Sequence, residues 1–241
     1  MRVAVVTGAA GDIGAATARA FAGAGHALVL LDRNAAPLPQ GAEGLTLACD
    51  LADPEAVAAA FIATMDRYPR LDVLANIAGI NHRSPVAQMR LADWDRMMDV
   101  NVGAMFLTAK HAIPRMTGTE PAIVNMASIS GHVASPDYPA YVASKAAVES
   151  FTWALAGEVG PQGIRVNAIA PGWVEAGFTR AALEGAADPE AFHAKAKAAH
   201  LLGRMARADE VAAAILWLSS PKASFVTGET LFVDGGLMRV H

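Results

Sequence analysis

The sequence predicts a doubly wound α/β domain: a parallel sheet of about seven strands flanked by helices. Three observations carry this. Short β-rich runs alternate with longer helical patterns along the whole chain. Those runs are apolar throughout rather than alternating, as strands covered on both faces require. The first run leads directly into a glycine-rich turn and a helix, Thr7-Gly8-Ala9-Ala10-Gly11-Asp12-Ile13-Gly14. Strands separated by helices pair in parallel through right-handed crossovers.

The elements follow in order. Val3–Thr7 reads as the first strand, and a helix runs from about Ile13 to Gly23. Ala27–Leu31 and Gly44–Ala48 read as the second and third strands. Asp53-Pro54-Glu55 opens a helix to about Tyr68, with Asp at the N-cap, Pro at the first position and an early acid. Asp72–Asn76 is the fourth strand. Leu91–Met116 holds one or two helices, ended or bent at Pro114. Ala122–Met126 is the fifth strand, a long helix spans about Ala140–Val159, and Arg165–Ile169 is the sixth strand. Ala208–Leu218 is helical and Thr230–Val233 is the last strand. Between Gly172 and Leu202 the chain is Ala-rich and interrupted by Gly177, Gly185 and Asp188-Pro189. An insertion there, past a strand's carboxyl end, lies where such folds bind ligands, and it reads as a mobile substrate lid. No linker or repeat divides the chain, so 1–241 reads as a single Rossmann-type domain.

Composition narrows the function. Hydrophobic residues make up 54% and charged residues 17%, which excludes intrinsic disorder. A net charge of −4 offers no basic footprint for nucleic acid and no polybasic membrane patch. No apolar run is long enough to predict a transmembrane helix, and the start is too short for a signal peptide, so a cytoplasmic protein is expected. The lone Cys49 sits in an apolar run and reads as a buried small hydrophobe. No metal-ligand cluster is visible, so metal-free chemistry is expected.

The glycine turn suits a dinucleotide. Gly8, Gly11 and Gly14 let the backbone approach a pyrophosphate, and the helix opening at Asp12 and Ile13 offers free N–H groups. Asp32 ends the second strand, 18 residues after Gly14. A carboxylate there accepts both ribose hydroxyls and repels a 2′-phosphate, selecting NAD over NADP. Arg33 follows and could instead pair with that phosphate. Asp50, ending the third strand beside Leu51, could bond adenine or simply form a turn. In Asn76-Ile77-Ala78-Gly79, small residues would let the backbone lie against the adenosine ribose, or form a structural turn.

Chemistry points to the opening of the long helix. In Tyr141-Val142-Ala143-Ser144-Lys145 the phenol and the ammonium are four residues apart on one helix face. A nearby cation favours the phenolate, so Tyr141 is expected to accept a proton near neutral pH. Ser128 lies 13 residues earlier, at the end of the fifth strand. Asn101 sits in Asp99-Val100-Asn101-Val102-Gly103, and Asn167-Ala168-Ile169-Ala170-Pro171-Gly172 follows the sixth strand. Tyr138 has Val142 at its i+4 position and reads as a pocket wall.

Together with the glycine turn, Asn76–Gly79 and Val233-Asp234-Gly235-Gly236, these motifs resemble the short-chain dehydrogenase/reductase family over nearly the whole chain. The resemblance implies that Tyr141 is the general acid/base and that Lys145 lowers its pKa and holds the nicotinamide ribose. It implies that Ser128 orients the substrate oxygen and that Asn101 kinks a helix and positions a water. It places Pro171, Gly172 and Val174 against the cofactor, the last at its carboxamide. Two residues depart from the family pattern. Asp12 stands where glycine is usual, and its side chain is expected to point away from the cofactor. Ala176 stands where a carboxamide-binding threonine is common, leaving that bond absent or supplied by Thr179. The implied activity interconverts a secondary alcohol and a ketone with NAD(H), in a homotetramer built through the helices near Asn101 and Tyr141 and the last strand. Pocket candidates are Asn81, His82, Arg83, Ser130, His132, Tyr138, Trp173, Glu175 and Phe178. Their polarity suggests a sugar, polyol or hydroxy acid. The alternatives are a 3-oxoacyl thioester reductase, against which Asp32 argues, and a non-catalytic nucleotide sensor.

Overall fold

The computed structural model describes residues 1–239. Seven strands form one sheet in the order β3-β2-β1-β4-β5-β6-β7, and every pairing is parallel. The strands are β1 (Val3–Thr7), β2 (Ala27–Asp32), β3 (Gly44–Ala48), β4 (Val73–Asn76), β5 (Ala122–Met126), β6 (Arg165–Pro171) and β7 (Thr230–Val233). Among them lie α1 (Asp12–Gly23), α2 (Pro54–Arg67), α3 (Leu91–Met98), α4 (Ala104–Ala112) and α5 (Pro139–Val159), then α6 (Gly177–Glu184), α7 (Pro189–Ala198) and α8 (Ala208–Leu218). Strand order reverses between β1 and β4, which makes a crevice at their carboxyl ends. No helix among the described residues is long and apolar enough to cross a membrane.

Alternate strand residues feed two cores. Ala4 and Val6 pack with Phe21 of α1 and Val211 and Ile215 of α8 on one face. Val3 and Val5 pack with Phe61 of α2, Ala109 of α4 and Leu155 of α5 on the other. The expected opening of α2 is present: Asp53 caps it by accepting from the Glu55 N–H at 2.9 Å, with Pro54 at the first position. β4 begins one residue later than expected, because the Asp72 carboxylate turns back to accept from the Val3 N–H at 2.8 Å. β6 runs on to Pro171.

The 91–116 segment is broken more finely than its sequence suggests. A π-turn over Asp99–Gly103 separates α3 from α4, and Pro114 lies in a closing 3₁₀ turn. Asn101 is the reason for the π-turn. Its Oδ1 accepts from the Ile80 N–H at 2.8 Å, and its Nδ2 donates to the Ile80 carbonyl at 3.0 Å and Ser144 Oγ at 2.9 Å. An extra residue in the turn lets one side chain reach a strand loop and a helix together.

Beneath the crevice lies a buried polar network. Thr108 donates to Asn76 Oδ1 at 2.8 Å, Asn76 donates to Asn125 Oδ1 at 2.9 Å, and Asn125 donates to Thr152 at 3.0 Å. All four residues are buried. The chain welds α4, β4, β5 and α5 together. Replacing Asn125 with alanine would leave the Asn76 amide without its acceptor and remove the donor to Thr152, whose hydroxyl keeps its bond to the Val148 carbonyl. The expected cost is about 2–4 kcal/mol of folding stability, read by urea denaturation. An effect below about 1 kcal/mol would show that the network is slack.

Candidate active site

A cleft of about 640 Å³ runs along the carboxyl ends of the strands. Its walls include Gly8, Gly11, Asp12, Ile13 and Gly14 at the glycine turn, then Asp32, Arg33, Asp50 and Leu51. Ala78 and Gly79 follow from the end of β4. At the far end are Ser128, Ser130, Tyr138, Tyr141 and Lys145, with Pro171 at the end of β6 and Gly172, Trp173 and Val174 beyond it.

The glycine turn has no room for a side chain at Gly8 or Gly14. Gly8 has φ +66°, and a Cβ there would sit 2.7 Å from Ala78 Cα. A Cβ on Gly14 would run into the Gly8 carbonyl. The bare backbone and the opening of α1 therefore face the cleft together, a cradle that suits a phosphate group. Asp32 is aimed by two backbone donors, Ala10 N–H at 3.1 Å and Asn34 N–H at 2.9 Å. Asp50 accepts from the Ala52 N–H at 3.0 Å and is paired with Arg96 at 3.1 Å. Burial pushes its carboxyl up, but these two donors outweigh that and hold it below its ordinary value.

At the chemical end, Tyr141 and Lys145 project from the first turns of α5, and both are buried. Lys145 Nζ donates to the Met126 carbonyl at 2.7 Å and lies 5.6 Å from the Tyr141 ring centroid. The Ser128 hydroxyl caps a short turn, accepting from Ser130 N–H at 3.1 Å, and lies beside the Tyr141 phenol, where it partly offsets the effect of burial on that pKa. Tyr138 stacks on Tyr141 with centroids 4.6 Å apart.

Several expected contacts are elsewhere. Asn76 does not line the cleft, because its side chain is spent in the buried network below it. Asn101 also lies behind the wall: its side chain holds the Ile80 backbone, so it shapes the loop rather than reaching the cavity. His132 points away as well. Its Nε2 sits 2.7 Å from Glu149 and its ring packs edge-on against Phe232. His82 and Glu175 lie outside the lining, whereas Asn81, Arg83 and Phe178 belong to it.

The sequence model of a family described as "Enoyl-(Acyl carrier protein) reductase" matches residues 8–238. A galactitol 2-dehydrogenase (L-tagatose-forming) of Cereibacter sphaeroides is 40% identical, over 97% of this chain and 93% of that one. A cis-4-hydroxycyclohexanecarboxylate dehydrogenase of Sinomonas cyclohexanicum is 39% identical, over 99% and 97%. The solved ligand-free aldohexose dehydrogenase of Thermoplasma acidophilum superposes with a TM-score of 0.93 at 32% identity, covering 100% of this chain and 95% of that one.

The chain belongs to the short-chain dehydrogenase/reductase family.

It is therefore an oxidoreductase of a family whose dehydrogenases use nicotinamide cofactors. Against that family's pattern the two departures take definite places. Asp12 sits at the edge of the cleft. It lines the mouth, and its Oδ2 meets Arg180 of α6 at 3.3 Å. Arg180 supplies a cation that draws the carboxylate outward across the opening. The two side chains are 41% and 63% exposed, so the pair is worth under about 1 kcal/mol. Ala176 caps α6 without a side-chain bond, while Thr179 lines the cleft one turn on.

The segment expected to be a lid is a helix pair, α6 and α7, joined to the body at both ends. Phe192 of α7 packs edge-on against Trp173 at 5.3 Å. His200 accepts from the Trp173 N–H at 3.2 Å through Nε2, and its Nδ1 faces the Ala196 carbonyl at 2.8 Å.

The electrostatics of the dehydrogenase correct a simple reading of the Tyr/Lys spacing. Burial pushes the Tyr141 phenol above its ordinary value, Tyr138 adds to this, and the neighbouring Ser128 only partly offsets it. Burial also pulls the Lys145 ammonium down, to about 8. Desolvation outweighs the neighbouring cation, because the ammonium sits on a carbonyl rather than on the phenol oxygen.

The Lys145 shift has a stability consequence. Between about pH 8 and the ordinary lysine value the unfolded chain binds a proton that the folded chain does not. Stability of the ligand-free protein should therefore rise with pH through that window. Cys49 works oppositely above its ordinary value of 9.0, since burial, with Asp50 and Asp53 beside it, pushes its thiol to about 11. The clean interval is thus pH 8 to 9, where the gain is about 1 kcal/mol. Urea melts should show this rise in wild type and lose it in Lys145→Met. A wild-type stability that falls across pH 8–9 would contradict the buried ammonium.

Proposed function

We propose that the protein oxidises a secondary alcohol to a ketone, or the reverse, with NAD(H), acting on a small polar substrate. One observation carries the reading: Ser128, Tyr141 and Lys145 share a single cleft with a glycine turn that admits no side chain at Gly8 or Gly14. The cleft fits a dinucleotide along its length. Gly8–Gly14 would hold the pyrophosphate, Asp32 the adenosine ribose, Lys145 the second ribose, and Pro171–Val174 the nicotinamide face. When bound, the nicotinamide takes up or supplies the hydride.

The remaining steps belong to the chain. Ser128 donates a hydrogen bond to the substrate oxygen and holds it beside Tyr141. In oxidation the phenolate of Tyr141 takes the hydroxyl proton as hydride leaves the same carbon. In reduction the phenol returns that proton to the developing alkoxide. The ligand-free pKa of Tyr141 is high, so the acid form predominates and proton removal depends on Lys145 remaining charged. Asn101 contributes by fixing the Gly79–Ile80 backbone opposite Lys145. Any water it positions is held by its main chain, since both side-chain polar atoms already have partners.

NAD is assigned as the cofactor through Asp32. The polyol, sugar and hydroxy-acid dehydrogenases to which the chain is similar support a polar carbinol substrate. A homotetramer belongs to the proposal, supported by Phe106 on α4 and Trp153 on α5, each more than half exposed. The test is a panel of secondary alcohols and ketones supplied with NAD and NADP separately, followed at the NADH absorption band. Turnover is expected with NAD. Tight NADH binding with no turnover across the panel would point to a nucleotide sensor instead.

A further inference from the structure

The cleft carries a cation that the reaction does not use. Arg83 lines its chemical end, in the loop that follows β4. Its guanidinium lies 4.2 Å over the centroid of Tyr138, and its Nη1 donates to the Pro136 carbonyl at 3.4 Å. Tyr138 in turn stacks on Tyr141, so Arg83 stands one aromatic ring away from the acid–base residue.

The platform is fixed from several sides. The Asn81 side chain lies beside the Tyr138 phenol and partly offsets the burial that raises its pKa. The Ser84 N–H donates to the Asp137 carbonyl at 2.8 Å, tying the Arg83 loop to the turn before α5. Asp137 holds that turn at φ +59°.

The charges around this end are one-sided. The acids lining the cleft are Asp12, at the mouth with Arg180, and Asp32 and Asp50, both at the nucleotide end. Among the described residues Arg83 forms no ion pair, although Asp137 lies in the turn its loop is tied to. Lys145 is buried on the Met126 carbonyl, and its remaining donors are taken up by the cofactor ribose in the reading above.

We propose that Arg83 is an anion-recognising residue, and that the substrate carries a carboxylate several bonds from its carbinol carbon. A guanidinium offers paired N–H donors that match a carboxylate edge. A single arginine, with no second unpaired cation at this end of the cleft among the described residues, suits one negative charge better than a phosphate dianion. The intervening Tyr138 ring sets the spacing: a carboxylate on the carbon next to the carbinol would fall short of Arg83.

This inference rests on the alcohol–ketone reading, and its test separates the two. The cofactor complex is given 2-hydroxypropanoate, 4-hydroxypentanoate and 5-hydroxyhexanoate, each beside its neutral amide. Wild type should favour the longer acids over their amides by about tenfold in kcat/KM, and the shortest acid hardly at all. The acid-to-amide ratio should collapse toward one in Arg83→Gln and recover partly in Arg83→Lys. Calorimetry of 4-oxopentanoate and its amide with the NAD complex, a pairing that cannot transfer hydride, gives a second readout that does not depend on turnover. Equal handling or equal binding of acid and amide by wild type, a ratio unmoved by Arg83→Gln, or acids that neither bind nor react would overturn the subsite. Arg83-dependent acid binding with no hydride transfer to any carbonyl would keep the subsite and sink the oxidoreductase reading.

Discussion

Tyr141→Phe should lower kcat by about a thousandfold and leave cofactor affinity within a few-fold. Positioned acid–base catalysis typically contributes 10² to 10⁴ in rate, and a thousandfold is about 4 kcal/mol of barrier. The substitution removes one oxygen. The ring keeps its stack on Tyr138, and Lys145 keeps its bond to the Met126 carbonyl, so the walls of the cleft persist. What disappears is the proton carrier and its interaction with the neighbouring Ser128. Steady-state turnover gives the first number and NADH fluorescence titration the second. A variant within tenfold of wild-type turnover would move the proton elsewhere. Tyr138 is the nearest other phenol, but it is engaged by Asn81 and Arg83.

The second large effect concerns the cofactor. NAD should be preferred over NADP by about a hundredfold in kcat/KM, and Asp32→Ser should cut that preference below about tenfold. Asp32 is held by Ala10 and Asn34 and cannot easily swing aside. A 2′-phosphate brought beside it meets like charge. At about 4 Å each unit pair costs roughly 1 to 4 kcal/mol, between the dielectric limits of water and a protein surface. Asp32 is only partly buried, so the lower half of that range applies and added salt should weaken the discrimination. Arg33 is the counterweight, yet it is exposed and its charge also acts on Asp50. Kinetics with both cofactors at low and high salt check this. Equal use of NADP by wild type would show that Arg33 prevails.

Backbone requirements were the most legible part of the chain. Gly8 and Gly14 stand where no Cβ fits, so the turn, its placement after β1 and the strand that follows could all be read from spacing. Apolar runs of strand length separated by helical patterns gave the parallel sheet for the same reason: both faces must be buried. Side-chain assignments failed where a distant partner decides. Asn76 at a strand end could serve a ligand or the core, and only the pairing of β4 with β5 puts Asn125 beside it. His132 is taken by Glu149, 17 residues further on. Asp12 is answered by Arg180, 168 residues away. The pKa of Tyr141 failed differently. Helical spacing brings Lys145 near, but the depth of burial that lifts the phenol is a property of the assembled fold.

The central claim is that a hydride passes between a carbinol carbon and the nicotinamide in this cleft. The most direct measurement uses a secondary alcohol bearing deuterium on its carbinol carbon, chosen from the panel as the fastest substrate, with unlabelled NAD. Mass spectrometry of the NADH formed should find one deuterium on the nicotinamide ring, with a slower rate than for the unlabelled alcohol. Unlabelled NADH, or a ketone formed while the label goes to solvent, would contradict the account.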